Sequence, residues 1–132
     1  MDETEEQQKK EREKAEIRNQ IETQNTEINN LKKSKIAYEI MKTKVNEALS
    51  KMESAKKSVV NSNEQLKNAY SSQEADKQNK KLQEITQEID TIVGKLNNPI
   101  LSEINKKISA TNQEISSKQN IVSSLRNELN SI

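Results

Sequence analysis

The stretch Ile17–Leu66, IRNQIETQNTEINNLKKSKIAYEIMKTKVNEALSKMESAKKSVVNSNEQL, decides the fold. With Leu31 at position d of a heptad, the d series reads Ile17, Gln24, Leu31, Tyr38, Val45, Met52, Val59, Leu66, apolar everywhere but Gln24. The a series is Ile21, Ile28, Lys35, Lys42, Leu49, Lys56, Asn63, Tyr70, and half of it is polar. A repeat sustained this long marks an amphipathic helix with a narrow seam. The polar a positions have two readings. The Lys stems lie along the seam with their ammonium groups in water, or polar groups fix register and partner choice at some cost in stability. Both readings demand a partner helix, within this chain or in another.

Ile36, Ala37, Tyr38, Ile40 and Met41 put apolar groups on nearly every face of two turns. A helix that is apolar all round is buried all round, which a two-helix hairpin cannot do for itself. The cluster is therefore either a local thickening of the core or a docking patch for a helix of another protein. Ile36, Tyr38, Ile40 and Met41, with the seam residues Val45, Leu49 and Met52 that follow, are the candidate partner interface.

Before this stretch, residues 1–16 form a polar extension with no apolar periodicity, expected to be a helix frayed toward Met1. After it, the stripe weakens at Asn61-Ser62-Asn63. Ser72 is a fair N-cap, with Glu74 and Asp76 following where acidic groups favour a helix start. A reversal is placed at 68–73. A second stripe runs Leu82, Ile85, Ile89, Ile92, Leu96, followed by Gly94-Lys95-Leu96-Asn97-Asn98-Pro99. Asn98 suits an N-cap with Pro99 at the first helical position, and Gly94 loosens the helix ahead of them. The seam resumes as Leu101, Ile104, Ile108, Thr111, Ile115, two residues out of phase, so a kink or break is expected at Asn97–Pro99. The reading is all-α: a single coiled-coil-like helical-hairpin domain over 17–132. Arm one spans 17–70 and arm two 73–131. Each arm is about 60 residues, on the order of 90 Å long. A three-helix arrangement, with the segment after Pro99 folding back, is the alternative.

Composition excludes more than it names. The chain has 132 residues with one Gly, one Pro and neither Cys nor His; 30% are hydrophobic and 33% charged. So few apolar groups suit a narrow stripe better than a layered core. Strand-like alternation is absent. Without His or Cys, the commonest general base, the best nucleophile and the usual metal ligands are missing, and no Gly-rich loop exists to cradle phosphate. The expectation is a non-enzyme with no catalytic residue, cofactor or metal. A net charge of +1 with interleaved signs, and only Tyr38 and Tyr70 as rings, offers no nucleic-acid surface. No apolar run is long enough to insert in a membrane, and no signal-peptide h-region is present. The expected place is the cytoplasm, or outside the cell if the chain is exported with its partner without a cleavable signal. The richness in Asn, Lys and Ile is associated with low-GC bacterial genomes.

At the tip, Tyr70-Ser71-Ser72-Gln73-Glu74-Ala75 resembles a degenerate W-x-G-x-x-A signature of the WXG superfamily of type VII secretion. Tyr70 stands where the Trp lies, Ser72 where the Gly lies, and Ala75 matches. The whole chain is similar to the longer, coiled-coil-rich relatives of that group, the YwqH-like proteins found beside LXG-domain toxins. It shares with them a long heptad helix, a central tip and a C-terminal Ile/Leu run, here ILSEINKKISATNQEISSKQNIVSSLRNEL. Neither the Trp nor the Gly of the signature is present. Tyr70 and Glu74 also make a Y-x-x-x-E match, which in the family follows the second helix and here sits at the tip. The resemblance implies a helical adaptor or targeting chaperone that pairs with the helical N-terminal domain of a secreted toxin. The competing expectation is a homo-oligomeric coiled-coil spacer or tether.

Overall fold

The computed structural model describes residues 3–69 and 72–132, and among these every element is helical, with no strand. α1 runs unbroken over Glu3–Ala69. No Gly or Pro interrupts it, and Glu3, Glu5 and Glu6 in its first turn and Lys67 in its last match the charge of the helix ends. α2 spans Ser72–Lys95 and α3 spans Ser102–Ser131. Between them lies one wide, π-type turn, Leu96–Leu101. The fold is an all-α helical hairpin whose second arm is kinked. The polar extension is helical from Glu3 and exposed apart from half-buried Lys14 and buried Ile17 at its end.

Burial follows the heptad along α1. Every a and d residue from Ile17 to Leu66 is buried or half-buried, including Lys35, Lys42 and Lys56. The Lys stems thus lie along the seam. Among the described residues no large side chain is fully enclosed, as expected where two helices meet along a single line with no layer above or below.

The second arm corrects one expectation. Its seam is Ala75, Asn79, Leu82, Thr86, Ile89, Val93, Leu96, and not the stripe through Ile85 and Ile92, each of which is 42% exposed. Leu82, Ile89 and Leu96 form a spine common to both stripes, so either neighbouring column completes a three-four pattern. Packing against α1 selects Thr86 and Val93. Thr86 enters the seam at little cost because its hydroxyl donates to the Leu82 carbonyl at 2.9 Å.

With the phase corrected, the next seam place after Leu96 would be residue 100, yet Ile100 is exposed and Leu101 and Ile104 are half-buried. The slip is one residue, not two. A π turn holds one residue more than an α turn, so Leu96–Leu101 absorbs that slip. Within it Asn98 has the extended backbone of a helix cap (φ −149°, ψ 118°), and the Asn98–Pro99 peptide is cis. The Ser102 amide donates to the Pro99 carbonyl as α3 begins. Beyond the kink, Ile115 and Val122 of α3 cluster with Ile28 of α1.

Two compact units divide the hairpin: Met1–Tyr38 with Lys107–Ile132, and Glu39–Lys106. In the first, Ile28, Ile115 and Val122 form a buried cluster with Ile21 and Leu31 packed against it. Burying each such side chain contributes about 1.5–3 kcal/mol. Glu27 accepts a charge-assisted bond from Lys118. In the second unit Lys56 pairs with Asp90 at 2.8 Å, and Ala75 and Ile89 are its buried apolar residues.

Candidate docking face

Heptad letters assign each side chain to a place across the seam. On α2, Ala75, Leu82, Ile89 and Leu96 are d, and Asn79, Thr86 and Val93 are a. In an antiparallel pair a packs beside d, and each flank meets its own kind, e with e and g with g. Two observations fix the sides. Lys56 at a reaches Asp90 at e. A depression is lined by the seam residues Val59, Asn63, Leu82 and Thr86 together with Val60, Gln83 and Gln87 at e and b, and by no residue at g. Ile85 and Ile92, at g, therefore lie on the other flank.

The two flanks of the Glu39–Lys106 unit differ sharply. The e flank carries Glu39, Asn46, Glu53, Val60 and Lys67 on α1, and Asp76, Gln83, Asp90 and Asn97 on the second arm. The g flank carries Met41, Ala48, Ala55 and Ser62 on α1, and Gln78, Ile85, Ile92 and Ile100 on the second arm. Met41 is 49% exposed, Ile85 and Ile92 42%, and Ile100 43%. Apolar residues at a, d and g make a face wide enough for a helical bundle, whereas a and d alone make a two-helix seam. The other unit shows the narrower pattern. Its g positions are Glu13, Gln20, Glu27 and Ser34 on α1 and Lys107, Glu114, Ile121 and Glu128 on α3, where Ile121 is the one large apolar residue.

The residues nominated from sequence separate into two groups. Tyr38, Val45, Leu49 and Met52 are half-buried seam residues. Ile36, Ile40 and Met41 are exposed by 56%, 51% and 49%, so the hairpin does not thicken to cover them. Ile36 and Ile40 stand at b and f, away from the seam. Met41 alone of the three borders the apolar flank. At the tip, Tyr70 lies outside the described residues, Ser72 is the first residue of α2 and exposed, and Ala75 is buried at the seam. Gly94 lies in the last turn of α2 with open space where a Cβ would go. Asn98 and Pro99 sit within the wide turn, and both are exposed. Ile85, Ile92 and Ile100 were not nominated as interface. Their sequence signal was the surplus of apolar residues in α2, which carries two stripes where a coiled coil needs one.

Among the described residues, the side-chain oxygens of Gln24, Asn63 and Asn79, all at seam positions, are buried without a hydrogen bond. Among the described residues no group of acidic side chains is arranged to hold a metal ion, and no helix is long and apolar enough to cross a membrane. No protein-family model matches the sequence, and neither a curated protein nor a solved structure does.

Proposed function

We propose that this chain is a non-enzymatic helical adaptor whose hairpin pairs with a helix of another protein. The observation that carries the reading is the exposed apolar flank of the Glu39–Lys106 unit, where Met41, Ile85, Ile92 and Ile100 stand at positions a self-sufficient two-helix coil fills with charge. Covering that flank removes apolar surface from water at roughly 25 cal/mol per Å². The polar seam residues of the same unit, Lys42, Lys56, Asn63 and Asn79, favour selective pairing over tight self-closure.

The finer reading is that the partner is the helical N-terminal domain of a secreted type VII toxin, which this chain would help present for export. It rests on the resemblance at Tyr70–Ala75 and in the C-terminal Ile/Leu run. A hairpin with buried Ala75 just past its tip is compatible with that signature. The test is light scattering on a sizing column, with the chain alone and mixed with helical proteins encoded beside it. Conversion to a defined one-to-one or ternary complex is expected. A stable homo-oligomer that ignores those neighbours would make the chain a structural spacer or tether instead.

A further inference from the structure

We infer that the apolar flank of the Glu39–Lys106 unit seats one amphipathic helix of a different protein, and that this helix carries acidic residues beside its apolar stripe. The inference rests on the adaptor reading and adds the face used and the charge of the partner.

The shape of the flank comes first. The pairing of Lys56 with Asp90 sets the antiparallel register. In that register Ile92 falls between the levels of Ala48 and Ala55, Ile85 beyond Ala55, and Ile100 between Met41 and Ala48. Each isoleucine thus stands nearly level with a small residue across the flank, Ile92 with Ala55, Ile85 with Ser62 and Ile100 with Ala48. The result is a row of knobs and gaps spaced by heptads, which suits the side chains of a third helix. The row spans about 20 residues of α1, roughly 30 Å.

The rim gives the charge. Position c borders g on its outer side. There α1 presents Lys44 and Lys51, and α2 presents Lys81, Glu88 and Lys95, all exposed. Glu103, which the one-residue shift at the wide turn brings to c, is a second exposed acid beside the row, and Glu74 lies beyond it at the start of α2. A helix lying in the row would therefore meet two lysines along α1 and two lysines with two glutamates along the second arm, a net-positive rim that acidic flanking residues would complement.

The same rim argues against a second copy. Two such flanks face to face would set one net-positive rim against another. The acidic e flank of a copy would match in charge but offers Val60 as its one large apolar residue, and that contact joins two different surfaces, which builds a ring or an open filament and not a two-fold dimer.

The test uses the full chain and two labelled synthetic peptides of about four heptads, both with Leu at a and d. One has Glu at every e and g position, the other Lys. Fluorescence anisotropy at low salt should show the Glu peptide binding at least tenfold more tightly. The double variant Ile85→Ser/Ile92→Ser should lose that binding more than tenfold, while Val60→Ser on the opposite flank leaves it unchanged. Circular dichroism should show equal helicity for all three proteins, because the substituted residues are exposed. Equal binding of the two peptides would overturn the inference, as would a Val60→Ser effect matching the double variant. It also fails if the chain alone forms a dimer that the double variant dissociates, which would make a second copy the occupant. Pelleting with phosphatidylcholine–phosphatidylserine vesicles, lost in the double variant, would put a lipid surface there instead. If a complex with a neighbouring gene product survives Ile85→Ser/Ile92→Ser, the flank is wrong and the adaptor reading stands. If no such complex exists but the Glu peptide still binds, the adaptor reading falls and the flank stands.

Discussion

The unit formed by Met1–Tyr38 with Lys107–Ile132 and the unit Glu39–Lys106 share one helix, α1, and use the same heptad, yet they distribute apolar residues differently. The first places Ile17, Ile28, Ile115 and Val122 inside the seam and, among its described residues, leaves only Ile36 and Ile121 as large exposed apolar residues. The second buries Ala75 and Ile89, keeps lysines and asparagines along its seam, and exposes Ile40, Met41, Val60, Ile85, Ile92 and Ile100. The first unit covers most of its apolar residues although its seam also holds Gln24, Lys35 and Lys118. The second leaves more apolar surface exposed. One heptad can thus bury or expose apolar residues without any change of fold.

The contrast is most easily broken by charging the two seams. Ile28→Asp, inside the buried cluster, should cost about 3 kcal/mol or more, because it buries an unpaired carboxylate. Leu49→Asp, at a half-buried seam place in the second unit, should cost about half as much. Urea unfolding followed by circular dichroism measures both, and equal losses would erase the distinction between the units.

A gain should appear where the second unit is under-packed. Asn63→Leu combined with Asn79→Leu removes two buried unpaired oxygens and fills the seam, raising stability by about 1–2 kcal/mol. The denaturation midpoint reports the gain, and light scattering reports any loss of a unique oligomeric state. A loss of stability would mean that these amides do structural work that the seam pattern does not explain.

Smaller still is Gly94→Ala. Its added methyl meets no atom within 4 Å, so helix propensity alone should raise stability by about 0.5–1 kcal/mol. A fall in melting temperature would show that the approach to the wide turn needs glycine's freedom.

The least effect belongs to the ion pairs. Glu27→Gln in one unit and Asp90→Asn in the other should each change stability by less than about 1 kcal/mol, and by less again in high salt. A larger change at Glu27, which meets the less exposed lysine of the two pairs, would mean that charge as well as apolar burial sets the first unit apart.

The helical class and the whole seam of α1 were legible because a strict heptad from Ile17 to Leu66 admits one phase. The phase of α2 was not, since Leu82, Ile89 and Leu96 serve two stripes equally and isoleucine is the more apolar choice in each pair. Which column turns inward depends on the helix across the seam, information that no local period contains. That same misplacement hid the apolar flank, because Ile85 and Ile92 read as core. The break near Pro99 was visible, but its size was misjudged with the phase. The patch at Ile36–Met41 holds three exposed apolar residues, and Ile85, Ile92 and Ile100 on the second arm are exposed as well.

A heptad seam is also a reading frame, and the wide turn Leu96–Leu101 is a plus-one shift within it. Remove one residue there and the steps from Ala75 to Ile132 become an unbroken alternation of fours and threes. Remove one anywhere else in the second arm and every later seam residue swings by about 100° around its helix. The turn is therefore the one place on that arm where a single-residue deletion keeps the frame, and the place where the history of such an insertion would be written.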